Sequence, residues 1–248
     1  PADSVASRFM GERAKVSDEV AERKQAIQGM FNAIAHRYDL LNHLLSAGID
    51  VYWRRRALGM VRIGTPGAIL DLATGTGDFA LAARRLQPQR IVGADVALAM
   101  VRVGVPKVAE GTGAPIRLLG GDAERLPFRD SSFDLVTAAF GVRNFENLQG
   151  GLQDMRRVLK PGGLGLVLEF SKPRVFPIKQ VFGLYFKHIM PTVGRWVSKD
   201  PAAYTYLPES VDAFPEGQDF LEEMRKAGYV DLKARPLTGG IATVYTGR

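Results

Sequence analysis

The chain has 248 residues, of which 46% are apolar and 24% charged, ordinary values for a globular protein of one large domain or two small ones. It contains no cysteine, which excludes disulfide bonds and thiolate metal sites and fits a reducing compartment. Its net charge of +7 predicts an anionic partner, either nucleic acid or an acidic membrane surface, or else serves solubility alone.

The first 66 residues predict helices. A polar start without the apolar core of a signal peptide leads into a predicted helix over Asp18–Met30. Apolar residues then recur at helical spacing from Phe31 to Leu45, Gly48 predicts the end of a helix, and Trp53 begins another. The chain has no uncharged apolar run of about 18 residues, so no transmembrane helix is expected.

From residue 67 to residue 171, strands and helices alternate. The predicted strands are Ala68–Ala73, Arg90–Asp95, Ile116–Gly120, Phe133–Phe140 and Leu164–Glu169. The helices predicted between them are Asp78–Leu86, Ala97–Val108 and Leu148–Leu159. Wholly apolar strands that alternate with helices indicate a parallel sheet covered on both faces. Its strands end at one edge, where the sites of α/β proteins lie.

A glycine-rich turn follows the first of these strands. In the stretch ILDLATGTGDFA, Gly75 and Gly77 allow positive φ angles and close approach of the backbone to a ligand. Asp95 comes 18 residues after Gly77, at the end of the second strand. A glycine turn, a helix start and then an acid for ribose hydroxyls are typical of a nucleoside-cofactor site.

Two acids near this turn separate the candidate cofactors. The spacing alone also fits a dinucleotide, but Asp71 and Asp78 would repel a pyrophosphate and attract a cation. This charge favours S-adenosylmethionine, which has an ammonium and a sulfonium and no pyrophosphate. The alternative for Asp78 is a helix cap without a ligand.

The segment 172–216 interrupts the alternation of strands and helices. It is amphipathic, basic and aromatic, which is typical of a helix that covers an apolar ligand or lies against a membrane, or of one packed on the protein without a ligand. A helix over Gln218–Ala227 and two closing strands, Tyr229–Pro236 and Ile241–Gly247, complete the chain. We expect one domain with four parts, namely 1–66, 67–171, 172–216 and 217–248.

Several motifs carry a resemblance to a known family, namely FNAIAHRYDLLNHLLSAGID, LDLATGTGD, GDAERLPFRDSSFD, FGVRNF, RVLKPGG, LEFSKP and YTYLPESVDAFP. From about Met30 to Gly247 the chain resembles the class I S-adenosylmethionine-dependent methyltransferases. Within them it resembles the quinone-biosynthesis C-methyltransferases, which methylate demethylmenaquinone and the polyprenyl benzoquinol of the ubiquinone pathway. The resemblance implies an α/β Rossmann-like fold whose seven-stranded sheet is mostly parallel, with an antiparallel last strand.

The resemblance also implies the residues that bind S-adenosylmethionine. Asp95 would accept the ribose hydroxyls, while Asp122 and Ala123 would contact the adenine amine and ring edge. The predicted cofactor set, with Asp71 included for its charge, is Asp71, Gly75, Thr76, Gly77, Asp95, Asp122 and Ala123. Ala139 stands where some members have a serine, so that contact is absent or left to the backbone. No metal is expected.

The predicted catalytic residues are Arg143, Asn144 and Tyr38. A quinol is a better carbon nucleophile as a phenolate, so a nearby positive charge favours the reaction. Arg143 is the candidate for that charge, and water or a histidine is expected to take the proton. His36 and His43 lie seven residues apart on one helix face, although a structural role is the commoner one for such histidines.

The expected partners follow from the same resemblance. They are a polyprenylated quinol, with demethylmenaquinol favoured over the benzoquinol, and an anionic membrane surface that a cytoplasmic protein would contact peripherally. A homodimer is allowed, and no nucleic acid is expected. The alternatives are a methyltransferase of another small molecule, an RNA methyltransferase or nucleic-acid-binding protein, and an NAD-dependent oxidoreductase.

Overall fold

A computed structural model of the chain describes residues 22, 24–39, 46, 48–185 and 202–248, with side chains from 206 onward in the last range. Its described residues form a seven-stranded sheet in the order β3-β2-β1-β4-β5-β7-β6. The strands are β1 (Ala68–Leu72), β2 (Arg90–Asp95), β3 (Ile116–Gly120), β4 (Phe133–Ala139), β5 (Leu159–Phe170), β6 (Lys233–Leu237) and β7 (Ala242–Gly247). The first five strands pair in parallel, and β7 is antiparallel to both β5 and β6.

Helices cover both faces of this sheet. The described helices are α1 (24–34), α2 (Ile49–Leu58), α3 (Asp78–Ala83), α4 (Leu98–Ala109), α5 (Leu148–Val158), α6 (Ile178–Leu184), α7 (Ala202–Ala213) and α8 (Gln218–Lys226). Along β1, Leu70 and Leu72 pack with residues of α5 and α8, whereas Ile69 packs with residues of α2 and α3. The predicted doubly covered α/β sheet with one antiparallel strand is confirmed.

Two strand boundaries differ from those predicted. β5 begins at Leu159 because this residue pairs with Phe133 before the register shifts at Leu135. β6 begins at Lys233 rather than at Tyr229, since Asp231 has a φ of 52° and interrupts the extended backbone. The remaining elements of the predicted core agree with the structure to within a few residues.

The segment predicted to cover a ligand is described in two parts, 172–185 and 202–216, whereas residues 186–201 lie outside the described residues. α6 lies in the amphipathic stretch where a helix is expected, and α7 is a further helix within 172–216. No helix in the described part of the chain has both the length and the apolar character needed to cross a bilayer.

The centre of β1 contains a buried acid. Asp71 is 1% exposed, and it accepts hydrogen bonds from the hydroxyls of Thr74 (2.6 Å) and Thr137 (2.8 Å). Burial raises the pKa of the Asp71 carboxyl to about 6, although the two hydroxyl donors lower it. The acid therefore stays bonded inside the sheet, and a direct contact with the cofactor remains a prediction.

This pKa makes the stability of the fold depend on pH. Between the ordinary value of 3.8 and about 6, the folded chain binds a proton at Asp71 that the unfolded chain has lost. The free energy of unfolding therefore falls as pH rises through this window, by up to about 3 kcal/mol. Asp71→Asn removes that titration, so denaturant unfolding at pH 4 to 7 should show a smaller decline than in the parent. The exposed Asp231→Asn should decline as the parent does, and parallel curves for Asp71→Asn and the parent would contradict the assignment.

Candidate active site

The carboxylate of Asp95 joins two loops at the carboxyl edge of the sheet. One oxygen accepts the Gly75 N–H at 2.8 Å, and the other accepts the Ala97 N–H at 2.8 Å. Burial raises the pKa of Asp95, and the backbone donors Ala97, Gly75 and Val96 oppose that rise in part. The loop after β1 and the loop after β2 are therefore held by the same side chain.

The glycine turn has the backbone conformation that the sequence predicts. Gly75 and Gly77 have φ angles of 56° and 88°. A Cβ at Gly104 of α4 would lie 2.7 Å from the Thr76 carbonyl oxygen, so the absence of a side chain there lets α4 approach the turn. The buried Thr76 hydroxyl donates to Asp39 at 2.5 Å. Thr76 is therefore engaged within the protein.

Asp78 is the first residue of α3, and the N-cap position before it is Gly77. Its carboxylate pairs with Lys107 and lies 3.4 Å from an Arg54 nitrogen. Burial lowers the pKa of Lys107, but its bonds to Asp39 and Asp78 outweigh that effect and raise it. The negative charge of Asp78, which we expect to repel a pyrophosphate, is therefore shared by two cations of the protein, and its effect on a cofactor remains a prediction.

Asp122, at the end of β3, contacts the first described helix. One carboxylate oxygen accepts the Glu124 N–H at 3.0 Å, and the other lies 2.5 Å from the Lys24 ammonium. Burial lowers the pKa of Lys24, yet Asp122 and the neighbouring acids outweigh that effect and raise it. Lys24 is therefore charged, and it engages an acid that the sequence assigns to the cofactor.

Further polar bonds hold α1 over the same edge. The Gln28 amide donates to the Val96 carbonyl at 2.7 Å, and the Asn32 side chain accepts the Ala99 N–H at 2.9 Å. Beneath α1 lies a cavity of about 80 Å³. Ligand pockets are commonly about 300–1,000 Å³, so this cavity, which α1 lines in part, is smaller than a pocket that encloses a whole ligand.

Some of the residues predicted for the site line this cavity, and others do not. Those that line it are Tyr38, Gly75, Asp95, Asp122, Ala123 and Asn144. Asp71, Thr76, Gly77 and Arg143 do not line it. Residues without a predicted role at the site also line it, among them Lys24, Phe31, Met100, Phe140 and Phe145. Lys24 and Phe31 stand seven residues apart in a predicted helical region, a spacing that could have signalled a shared face.

The Arg143 guanidinium points to an internal acid instead of the cavity wall. One of its nitrogens lies 2.9 Å from the Glu169 carboxylate, and it also donates to the Phe140 carbonyl. The guanidinium carbon stands 5.5 Å from the centre of the Phe170 ring. The Arg143 side chain is 7% exposed and that of Glu169 is 0% exposed. A direct contact of Arg143 with substrate remains a prediction.

His36 is exposed and does not line the cavity, whereas His43 and His188 lie outside the described residues. Within the described ranges, no three acidic or histidine side chains are arranged to hold a metal ion.

Comparisons with known proteins agree with this arrangement. The model of the ubiE/COQ5 methyltransferase family matches residues 18–248. A demethylmenaquinone methyltransferase of Deinococcus radiodurans is 47% identical over 236 residues, which are 95% of this chain and 97% of that protein. Another from Bacteroides fragilis is 44% identical over 237 residues, 95% of this chain and 97% of that protein.

A ubiquinone/menaquinone biosynthesis C-methyltransferase of Geotalea uraniireducens is 45% identical over 232 residues, 92% of this chain and 98% of that protein. Among solved structures, a SAM-dependent methyltransferase of Thermotoga maritima matches with a TM-score of 0.63. It is 17% identical and covers 88% of this chain and 98% of its own, which supports the fold alone. The chain therefore belongs to the ubiE/COQ5 methyltransferase family and is an S-adenosylmethionine-dependent methyltransferase.

Proposed function

We propose that this chain methylates a ring carbon of a polyprenylated demethylquinol, with demethylmenaquinol as its main substrate. The observation that carries the proposal is the composition of the cavity, where three carboxylates, those of Asp95, Asp122 and Glu124, meet an aromatic wall. Asp95 and Asp122 suit a nucleoside, and Tyr38, Phe140 and Phe145 suit a flat apolar ring. The names of the relatives from Bacteroides and Deinococcus favour the naphthoquinol, and the name of the Geotalea relative keeps the benzoquinol as the alternative.

The residues around the turn fit a nucleoside cofactor without pyrophosphate. The Gly75 N–H, which would otherwise face a phosphate, already donates to Asp95. Lys107 and Arg54 both pair with Asp78 beside the turn, but they also pair with Asp39 and Asp50, so two cations offset only part of the charge of three acids. In our proposal Asp95 holds the ribose hydroxyls, and Asp122 with Ala123 holds the adenine. S-adenosylmethionine supplies a methyl group that its sulfonium makes electrophilic.

Lys24 affects how the cofactor can enter the site. Its ammonium already engages the Asp122 carboxylate, with which the adenine amine is proposed to bond. Because one oxygen of Asp122 is taken by Lys24 and the cavity under α1 is small, we propose that α1 shifts when the cofactor enters.

Asn144 is the polar residue best placed to bind the quinol oxygen. It lines the cavity in the short helical turn Val142–Asn144, next to Phe140 and Phe145. A phenol has a pKa of about 10, so hydrogen-bond donors at its oxygen help to form the phenolate at neutral pH. We propose that the Asn144 amide donates to this oxygen, that Arg143 holds the turn and adds a positive field, and that water accepts the proton.

Labelled methyl transfer tests this function. Purified protein with S-adenosylmethionine carrying a tritiated methyl should label demethylmenaquinol in detergent micelles, with a higher kcat/KM than for the demethyl benzoquinol. Asp122→Ala should raise the KM for S-adenosylmethionine about tenfold, because a charged hydrogen-bond acceptor is lost. Asp130→Ala is the control, since that acid is 76% exposed and pairs with Arg157 away from the cavity. Absence of label in both quinols would contradict the proposal.

A paired substitution separates the two roles of Arg143. Arg143→Ala leaves the buried Glu169 carboxylate without its ion pair and should lower the free energy of unfolding by about 3–5 kcal/mol. Arg143→Met with Glu169→Gln removes both charges and should recover most of that loss in denaturant titrations. We expect kcat of the double variant to stay at least about tenfold below the parent, with binding of S-adenosylhomocysteine little changed. Recovery of kcat together with stability would limit Arg143 to a structural role.

We also propose that residues 172–185 contact an anionic membrane surface. Val175, Phe176, Val181 and Leu184 are 57%, 78%, 64% and 60% exposed. Lys172 and Arg174 directly precede these residues in the chain, and Lys179 lies among them. Apolar side chains surrounded by cations are typical of a segment at the headgroup boundary. A polyprenyl tail too long for the cavity would be held by such a membrane.

Sedimentation with vesicles tests the membrane contact. Arg174→Glu with Lys179→Glu should markedly reduce binding to vesicles containing anionic phospholipid, because each basic residue near the surface contributes about 1 kcal/mol. Lys233→Glu with Arg235→Glu changes the net charge equally on the exposed part of β6 and should bind as the parent does. Equal binding by all three proteins, or equal loss in both variants, would contradict this surface.

A further inference from the structure

We infer that Tyr206 of α7 is a positioning residue, which orients the Asn144 amide so that it donates to the quinol oxygen. The inference rests on the proposed function. It concerns a residue of α7, which lies far from the glycine turn in the sequence. The Tyr206 hydroxyl donates to the Asn144 Oδ1 atom at 2.8 Å. Tyr206 is half-buried and does not line the cavity, so it acts through Asn144.

The chemistry of the amide explains why this hydrogen bond matters. An asparagine side chain presents one acceptor oxygen and one NH₂ donor on opposite sides of the same carbon. Since Oδ1 is occupied by Tyr206, the Nδ2 hydrogens are the part of the amide that is left to donate. The Nδ2 hydrogens make no hydrogen bond to the protein within the described residues. A phenolate needs that donor, and it would be repelled by Oδ1 if the amide rotated by half a turn.

The backbone of Asn144 is fixed independently of this bond. Its N–H donates to the Gly141 carbonyl at 3.0 Å. A Cβ at Gly141 would lie 2.3 Å from the Ala73 Cβ, so the turn packs closely on the end of β1. Because the backbone of Asn144 is held in this way, its side-chain amide can still rotate, and the hydrogen bond from Tyr206 restricts that rotation.

A second residue holds α7 to the same turn. Ser210 lies one helical turn after Tyr206 and is 7% exposed. Its hydroxyl donates to the Leu207 carbonyl at 2.9 Å, and its oxygen accepts the Arg143 Nε–H at 3.3 Å. Residues four apart share one face of a helix, so this face of α7 contacts Arg143 and Asn144 together. Val211, which is buried, and Phe214 beyond the helix end anchor this region in the protein.

A double-mutant cycle tests the inference with demethylmenaquinol. Tyr206→Phe should lower kcat about tenfold while leaving the KM for S-adenosylmethionine and the Tm close to those of the parent. In the Asn144→Ala background, Tyr206→Phe should lower kcat no further, because its effect passes through the amide. Tyr52→Phe, at a tyrosine that is 49% exposed on α2, should match the parent.

The pH dependence provides a readout that a purely structural role would not change. If the oriented amide stabilises the phenolate, its loss raises the pKa of the bound quinol. The rising limb of kcat against pH should therefore move to higher pH in Tyr206→Phe, by up to about one unit. The limb should stay in place in Tyr52→Phe.

Three results would overturn the inference. They are an unchanged kcat in Tyr206→Phe, an equal loss of kcat with and without Asn144, and a fall in Tm that parallels the fall in kcat. If the parent labels neither quinol, the proposed function fails separately. The Asn144 side-chain NH₂ resonance, assigned by its disappearance in Asn144→Ala, then tests the orientation, since Tyr206→Phe should shift it and Tyr52→Phe should not. An unshifted resonance overturns the inference.

Discussion

The Asp95 carboxylate is the interaction on which the site depends. It accepts N–H groups from the loops after β1 and β2 with its two oxygens, and it is 8% exposed. These bonds fix the glycine turn relative to the start of α4 and place the acid against the cavity. A carboxylate satisfied by backbone donors keeps lone pairs for further donors such as hydroxyls. The Asp95 side chain therefore holds the two loops together and also lies in the proposed cofactor site, at the carboxyl edge of the parallel sheet.

We propose that the site has two halves around Asp95, one that binds the nucleoside and one that binds the acceptor ring. The nucleoside half consists of acids at strand ends, and α1 closes it through Lys24 and Gln28. The acceptor half consists of aromatic rings and one amide, and its charged residue, Arg143, is paired with the buried Glu169. An unpaired guanidinium there would stabilise a phenolate strongly, but it would also carry the cost of burying a charge. In our proposal this ion pair separates two roles, so that the Asn144 amide supplies the hydrogen-bond donor and Arg143 supports the turn.

The sequence predicted those features that local pattern determines. The positions of β1 to β5 along the chain, the positive φ of Gly75 and Gly77 and the place of Asp95 at the end of β2 follow from apolar runs and turn residues. It did not predict partners brought together by tertiary packing. Lys24 reaches Asp122 across 98 positions and Tyr206 reaches Asn144 across 62, and Asp78 finds Lys107 and Arg54 on two other helices. Such pairs depend on how helices pack against the sheet edge, which no local spacing specifies.

The most direct test of the account is a crystal structure of the protein with S-adenosylhomocysteine. The account predicts ribose hydroxyls on Asp95 and the adenine amine on Asp122, with the Lys24 ammonium moved beyond about 4 Å from that carboxylate. Arg143 should stay paired with Glu169. A nucleoside bound away from Asp95, or an adenine bound elsewhere while Lys24 and Asp122 remain in contact, would contradict the account.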